Sequence, residues 1–87
     1  MVEGSVVKSA GRVFAVLELF RERRESLSSN AIAEALSYPK SSTIALLKSM
    51  AELGYLAFDQ TTKSYFPTPK VADLGGWLSP ALLRGGA

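Results

Sequence analysis

The sequence predicts a mainly α-helical domain with a small β-hairpin, arranged as a winged helix-turn-helix: a three-helix core, a hairpin wing and a short C-terminal helix. Two observations predict it. The stretch from Ser28 to Tyr55, SSNAIAEALSYPKSSTIALLKSMAELGY, reads as a short helix, a tight corner, a second helix opening on a proline and a glycine stop. That is the spacing of two helices joined by a short turn, the first bracing the second. The β-prone runs Tyr55-Leu56-Ala57-Phe58 and Tyr65-Phe66 then flank Asp59-Gln60-Thr61-Thr62-Lys63-Ser64, the pattern of a two-stranded hairpin.

In chain order, Ser9 can cap a first helix in which Val13, Phe14, Leu17 and Phe20 recur at helical spacing. Val16 and Leu19 widen that stripe, as rim residues of a buried helix or as part of a dimer contact. The charged run Arg21-Glu22-Arg23-Arg24-Glu25 ends the helix, its cations favourable against the C-terminal dipole. Ser28 is the N-cap expected for a helix from about Ser29 to Leu36, although Ala31 stands where a full capping box would place Glu or Gln. Ile32, Ala33 and Leu36 give that helix an apolar face, and Ser37-Tyr38 form the corner. Pro39 fits the first turn of the next helix, which should run to about Leu53 and stop at Gly54. Its core face is expected to carry Thr43, Leu46, Leu47, Met50 and Leu53. Pro67 and Pro69 close the hairpin. Val71, Leu74, Trp77 and Leu78 suggest a final helix interrupted by Gly75-Gly76. The domain is expected to occupy residues 1–78, with 79–87 a tail or the start of a linker.

Composition limits the function. Eighty-seven residues suffice for a single core, and an apolar content of 47% argues against disorder. No run approaches a membrane span, and MVEGSVVKSAGR lacks an apolar signal core, so a cytoplasmic protein without membrane contact is expected. The absence of cysteine and histidine excludes disulfides, thiolate catalysis, zinc fingers and imidazole general bases. Asp59, Asp73 and the glutamates show no paired spacing, and no base stands ready to activate Ser41 or Ser42. Neither an enzyme nor a bound cofactor or metal is expected.

The net charge of +2 and pI near 9.2 allow nucleic-acid binding without requiring it. Placement says more. Opposite its core stripe the third helix shows Lys40, Ser41, Ile44, Ala45, Lys48 and Ser49, with Ser42 near the boundary and no carboxylate until Glu52. A helix face selected for solubility alone usually mixes the signs. Such a face suits the major groove of double-stranded DNA, with Ile44 and Ala45 either resting against thymine methyl groups or merely packing. Lys63 falls at the wing tip, where it meets the backbone or the minor groove, or is an ordinary turn lysine. The alternative is a winged helix that docks another protein, for which Ile44 and Tyr38 would be apolar anchors.

Several segments resemble the isocitrate-lyase-regulator (IclR) family of bacterial transcription factors. VKSAGRVFAVLELF is similar to that family's V-x-S-x-x-R-x-x-x-x-L-E opening, and ALSYPKSS and LLKSMAELGYL to its L-G-L-P-K-S-T and L-L-x-x-L-x-x-x-G-Y-L. SYFPTPKVADLG is similar to Y-x-L-G-x-x-L-x-x-L-G, so the resemblance spans roughly Val7 to Gly75. It implies a homodimeric DNA-binding domain, more often of a repressor than an activator. Small-molecule effectors would act through a larger C-terminal domain that this sequence does not contain, so that it is either an excised piece or a short relative.

Carried over by position, Lys40, Ser41 and Ser42 match the start of the family's recognition helix. Arg12 matches its first-helix arginine, which reaches a phosphate or closes a salt bridge at the helix start. Ser28 joins them among the candidate DNA contacts. The departures are Ile44 and Ala45 where many members carry His or Tyr and then Arg, Ser37 in place of the corner glycine, Lys63 in place of a wing glycine, and Phe58 where a basic residue is frequent.

Overall fold

A computed structural model describes residues 5–81. Its elements are α1 (Lys8–Arg23), α2 (Ser29–Leu36), α3 (Lys40–Glu52), β1 (Leu56–Asp59), β2 (Ser64–Pro67) and α4 (Pro69–Gly76). The strands pair antiparallel, from Leu56 opposite Pro67 to Asp59 opposite Ser64. Leu27, between α1 and α2, joins this sheet by exchanging two backbone hydrogen bonds with Tyr65, at 3.0 and 2.8 Å. The hairpin is thereby tied to the helices rather than left projecting. None of the helices among the described residues is long and apolar enough to cross a membrane. The expected tail lies, from residue 82 onward, outside the described residues.

The core gathers Val16, Leu19 and Phe20 from α1, Leu27, Ile32 from α2, Leu47 and Met50 from α3, and Leu56 and Tyr65 from the hairpin. The expected stripe on α1 is therefore rotated. Val16 is completely buried and Leu19 nearly so, whereas Phe14 is 64% exposed. Because α1 packs on α2, α3 and β2 from one side, only the arc centred near Val16 and Phe20 is covered. Phe14 falls outside that arc, and Val16 and Leu19 are not available for a dimer contact. Nor does Ser9 cap the helix: α1 begins at Lys8 after Val7, with no side-chain cap.

Local chemistry sets most other boundaries. The Ser28 hydroxyl accepts a hydrogen bond from the Ala31 N–H at 3.1 Å, closing one of the otherwise unpaired donors of α2. Pro39 is the N-cap of α3 and not its first helical residue. Its carbonyl receives both the Thr43 N–H and the Thr43 hydroxyl, the latter at 2.8 Å, so the buried threonine is satisfied. Gly54 follows α3 with φ 95°, the left-handed conformation that glycine adopts without a steric penalty. Leu53, expected in the core, is 64% exposed, because the backbone is already turning away there. The final helix contains Gly75 and Gly76 instead of breaking at them. It is capped by Thr68, whose hydroxyl accepts from the Lys70 N–H, and none of its residues is buried.

Ser37 occupies the corner with φ 58° and ψ 43°, the left-handed region that disfavours a Cβ atom. Tyr38 N–H then reaches back to the Ala33 carbonyl at 2.9 Å, sealing the end of α2. Ser37→Gly should therefore stabilise the domain by roughly 0.5–1 kcal/mol, steric relief outweighing the added freedom of the unfolded chain. Urea denaturation checks this; an unchanged or lower midpoint would show that the corner carries no strain.

Candidate nucleic-acid interface

The outer surface of α3 is built by its own periodicity. Thr43, Leu47 and Met50 turn inward, leaving Lys40, Ser41, Ser42, Ile44, Ala45, Lys48 and Ser49 exposed. The helix start has no side-chain cap, and the first intrahelical acceptance is from Thr43 N–H to the Pro39 carbonyl. The N–H groups of Lys40, Ser41 and Ser42 therefore point out of the helix without helical acceptors. Free donors and the positive end of the helix dipole together attract anions, and Lys40 adds a full charge at the same place.

Arg12 reaches this surface from α1. Among the described residues its guanidinium closes no salt bridge at the helix start. It lies 4.5 Å from the centre of the Tyr38 ring, and its Nη1 donates to the Ser42 hydroxyl at 3.4 Å. Ser42 in turn donates to the Pro39 carbonyl at 3.3 Å. Arg12, Ser42 and Ala45 line an open groove between α1 and α3, together with Lys8, Ser9 and Ser49. Lys8 and Arg12 lie four residues apart and so share one face of α1. Lys8, Ser9 and Tyr38 were not legible as site residues, because their role depends on how α1 lies across α3.

The remaining candidates lie apart from that groove. Ser28 is half-buried, its oxygen engaged as the α2 cap, and it lines a shallow cleft with Asp59, Thr62 and Ser64. Lys63 stands at the wing turn with φ 55°, exposed. The turn is held by the Asp59 carboxylate, which accepts from the Thr61 and Thr62 N–H groups at 2.8 and 3.3 Å. Phe58 packs against its cross-strand partner Tyr65 with ring centres 4.8 Å apart and planes inclined at 52°, and so serves the hairpin where a basic residue would offer a cation.

At the far end of α3, Lys70 donates from Nζ to the Leu53 carbonyl at 3.0 Å and lies 4.9 Å from the centre of the Tyr55 ring. Thr68 donates its hydroxyl to the Gly54 carbonyl at 2.6 Å. A cation at a helix C-terminus opposes the negative dipole end, so these contacts fix the tail of α3 against α4.

Two helices meeting at a tight corner, a third bracing them and a hairpin alongside define a winged helix-turn-helix domain. The family follows from the sequence: the model of the IclR helix-turn-helix domain matches residues 9–60, and the chain belongs to that family. Among solved structures, an IclR family transcriptional regulator from Brucella abortus superposes with a TM-score of 0.82 at 27% identity, over 98% of this chain and 33% of that one. A transcriptional regulator from Alicyclobacillus acidocaldarius shares the fold, with a TM-score of 0.80 at 20% identity, over 91% of this chain and 33% of that one. This chain thus spans about a third of the length of either regulator. No curated protein matches the sequence.

Proposed function

We propose that this domain binds double-stranded DNA in a sequence-specific manner, as the DNA-reading part of a cytoplasmic transcriptional regulator, a repressor more readily than an activator. The observation that carries this reading is the uncapped start of α3 continuous with an exposed face of Lys40, Ser41, Ser42, Ile44, Ala45 and Lys48. In this reading α3 enters the major groove, Lys40 and the amides behind it meet a phosphate, and Lys48 meets another further along. Ile44 and Ala45 face base edges, where apolar contact favours thymine methyl groups over guanine. Lys63 brings the wing to the flanking backbone. Ser28 serves α2 as its cap, and any contact with DNA would be made through its remaining hydroxyl proton.

The active form in this reading is a homodimer, with half-sites a helical turn or a multiple of it apart. Phe14, Leu17, Phe66 and Val71 line an apolar groove flanked by Glu18 and Arg21. A second copy related by a two-fold axis can cover that groove while pairing each Glu18 with the other copy's Arg21. Effector control would come from a part of the regulator that follows residue 78.

Fluorescence anisotropy over a range of salt concentrations tests the reading. With about 3–5 phosphates neutralised per subunit, the log–log slope of affinity against salt should be about −2.7 to −4.5 for each half-site. Two chains should bind each duplex. A flat salt response would overturn the DNA-binding reading, and one chain per duplex at saturation would remove the dimer from it. Docking of another protein is the weaker alternative, since Tyr38, one of its two expected anchors, is half-buried beneath Arg12.

A further inference from the structure

We propose that Tyr38 is the positioning residue that holds Arg12 ready, over the groove between α1 and α3, for a backbone phosphate of the duplex. This rests on the DNA-binding reading above and on the phosphate contact expected of Arg12, and adds the residue that orders it. Every polar side chain lining the groove is a cation or a hydroxyl: Lys8 and Arg12 from α1, Ser9, and Ser42 and Ser49 from α3. Among the described residues no carboxylate lines it, so its chemistry suits an oxyanion.

Tyr38 supplies what a long, flexible arginine lacks. A guanidinium 4.5 Å from the ring centre is attracted by the negative face of the π system. Among the described residues its one hydrogen bond, to Ser42 at 3.4 Å, is long, which leaves most of the five-donor fork for an anion. Ordering the side chain before DNA arrives removes part of the entropy otherwise lost on binding.

The test uses the 87-residue chain and a mixed-sequence DNA duplex of about two helical turns, because phosphate contacts are independent of sequence. Arg12→Gln should weaken binding about tenfold and reduce the salt slope by about 0.9. Tyr38→Leu should weaken binding about threefold to fivefold, and Tyr38→Phe, which keeps the ring, should stay within about twofold of the unaltered chain. In the Arg12→Gln background Tyr38→Leu should add no further loss. Proton NMR without DNA should show the Arg12 side-chain protons shifted upfield by the ring in the unaltered chain and in Tyr38→Phe, but not in Tyr38→Leu.

If Tyr38→Leu also lowers the melting temperature, Arg12→Lys keeps the charge without the planar stack and should show the same threefold to fivefold loss, about the strength of one such contact. Binding unchanged by Tyr38→Leu, or a loss equal in both backgrounds, would overturn the role given to Tyr38 alone. Binding and slope unchanged by Arg12→Gln would overturn the phosphate contact of Arg12. Absence of salt-dependent binding by the unaltered chain would overturn the DNA-binding reading itself, and the role of Tyr38 with it.

Discussion

Lys40→Glu combined with Lys48→Glu is expected to reduce duplex binding by at least about a hundredfold near 0.1 M salt, and to make the salt slope shallower by about 1.8. Both lysines are exposed on the outer face of α3, one at its N-terminal end and one two turns along. Each replacement removes a phosphate contact and adds repulsion of similar size, about 1 kcal/mol at 4 Å in water and more where the groove excludes solvent. Lys40→Glu has a further, opposing effect on folding, because a carboxylate in the first turn of a helix is favourable toward its dipole. Lys48→Glu places a like charge four residues before Glu52, at a cost of about 0.2–0.5 kcal/mol, so the two effects roughly offset and the melting temperature should move little. Anisotropy titration with a thermal melt alongside is the measurement. Retention of affinity within about tenfold would mean that this face does not meet the polyanion.

Leu47→Ala should have the largest effect on stability. Leu47 is completely buried on the inward side of α3 and packs in the cluster with Val16, Ile32 and Met50. Truncating a buried leucine to alanine costs about 2–5 kcal/mol, the transfer free energy plus the cavity left behind. In a domain of this size each kcal/mol shifts the melting temperature by about 4–8 °C, so a fall of about 10–30 °C is expected. Leu53→Ala, six residues along the same chain but 64% exposed, should change stability by no more than about 0.5 kcal/mol. Differential scanning calorimetry of the two variants makes the comparison. Equal effects would mean that the core does not lie behind α3 as described here.

Much of the fold was legible because the signals that carry it are local. Ser28, Pro39 and Gly54 act on donors, acceptors and dihedral angles within four residues of themselves, and each acts where the sequence places it, with Pro39 one position earlier in its helix than expected. Ser37 with its positive φ and the turn held by Asp59 belong to the same class. The candidate face of α3 was legible for a similar reason. Once Thr43, Leu47 and Met50 turn inward, the 3.6-residue period assigns Ala45, Lys48 and Ser49 to the outside, and Lys40 is exposed because it opens the helix.

The misreadings occurred where burial depends on what lies across a gap. In α1 both Phe14 and Val16 are apolar and helical, and the sequence has no means of ranking them. Leu53 continues the α3 stripe on paper, but Gly54 redirects the chain before a partner reaches it.

By itself, then, the sequence determined a winged helix-turn-helix, the order of its elements and the cationic outer side of its third helix. These follow from caps, turns and periodicities that each segment carries within itself. Only the tertiary structure decided which arc of α1 is buried, that Arg12 leaves its own helix to lie on the Tyr38 ring, and that Lys8 and Ser9 share a groove with Ser42 and Ser49. Those outcomes join residues as far apart as Lys8 and Ser49, 41 positions along the chain. Their energies depend on the packing angle between helices, and no periodicity within a single segment encodes that angle.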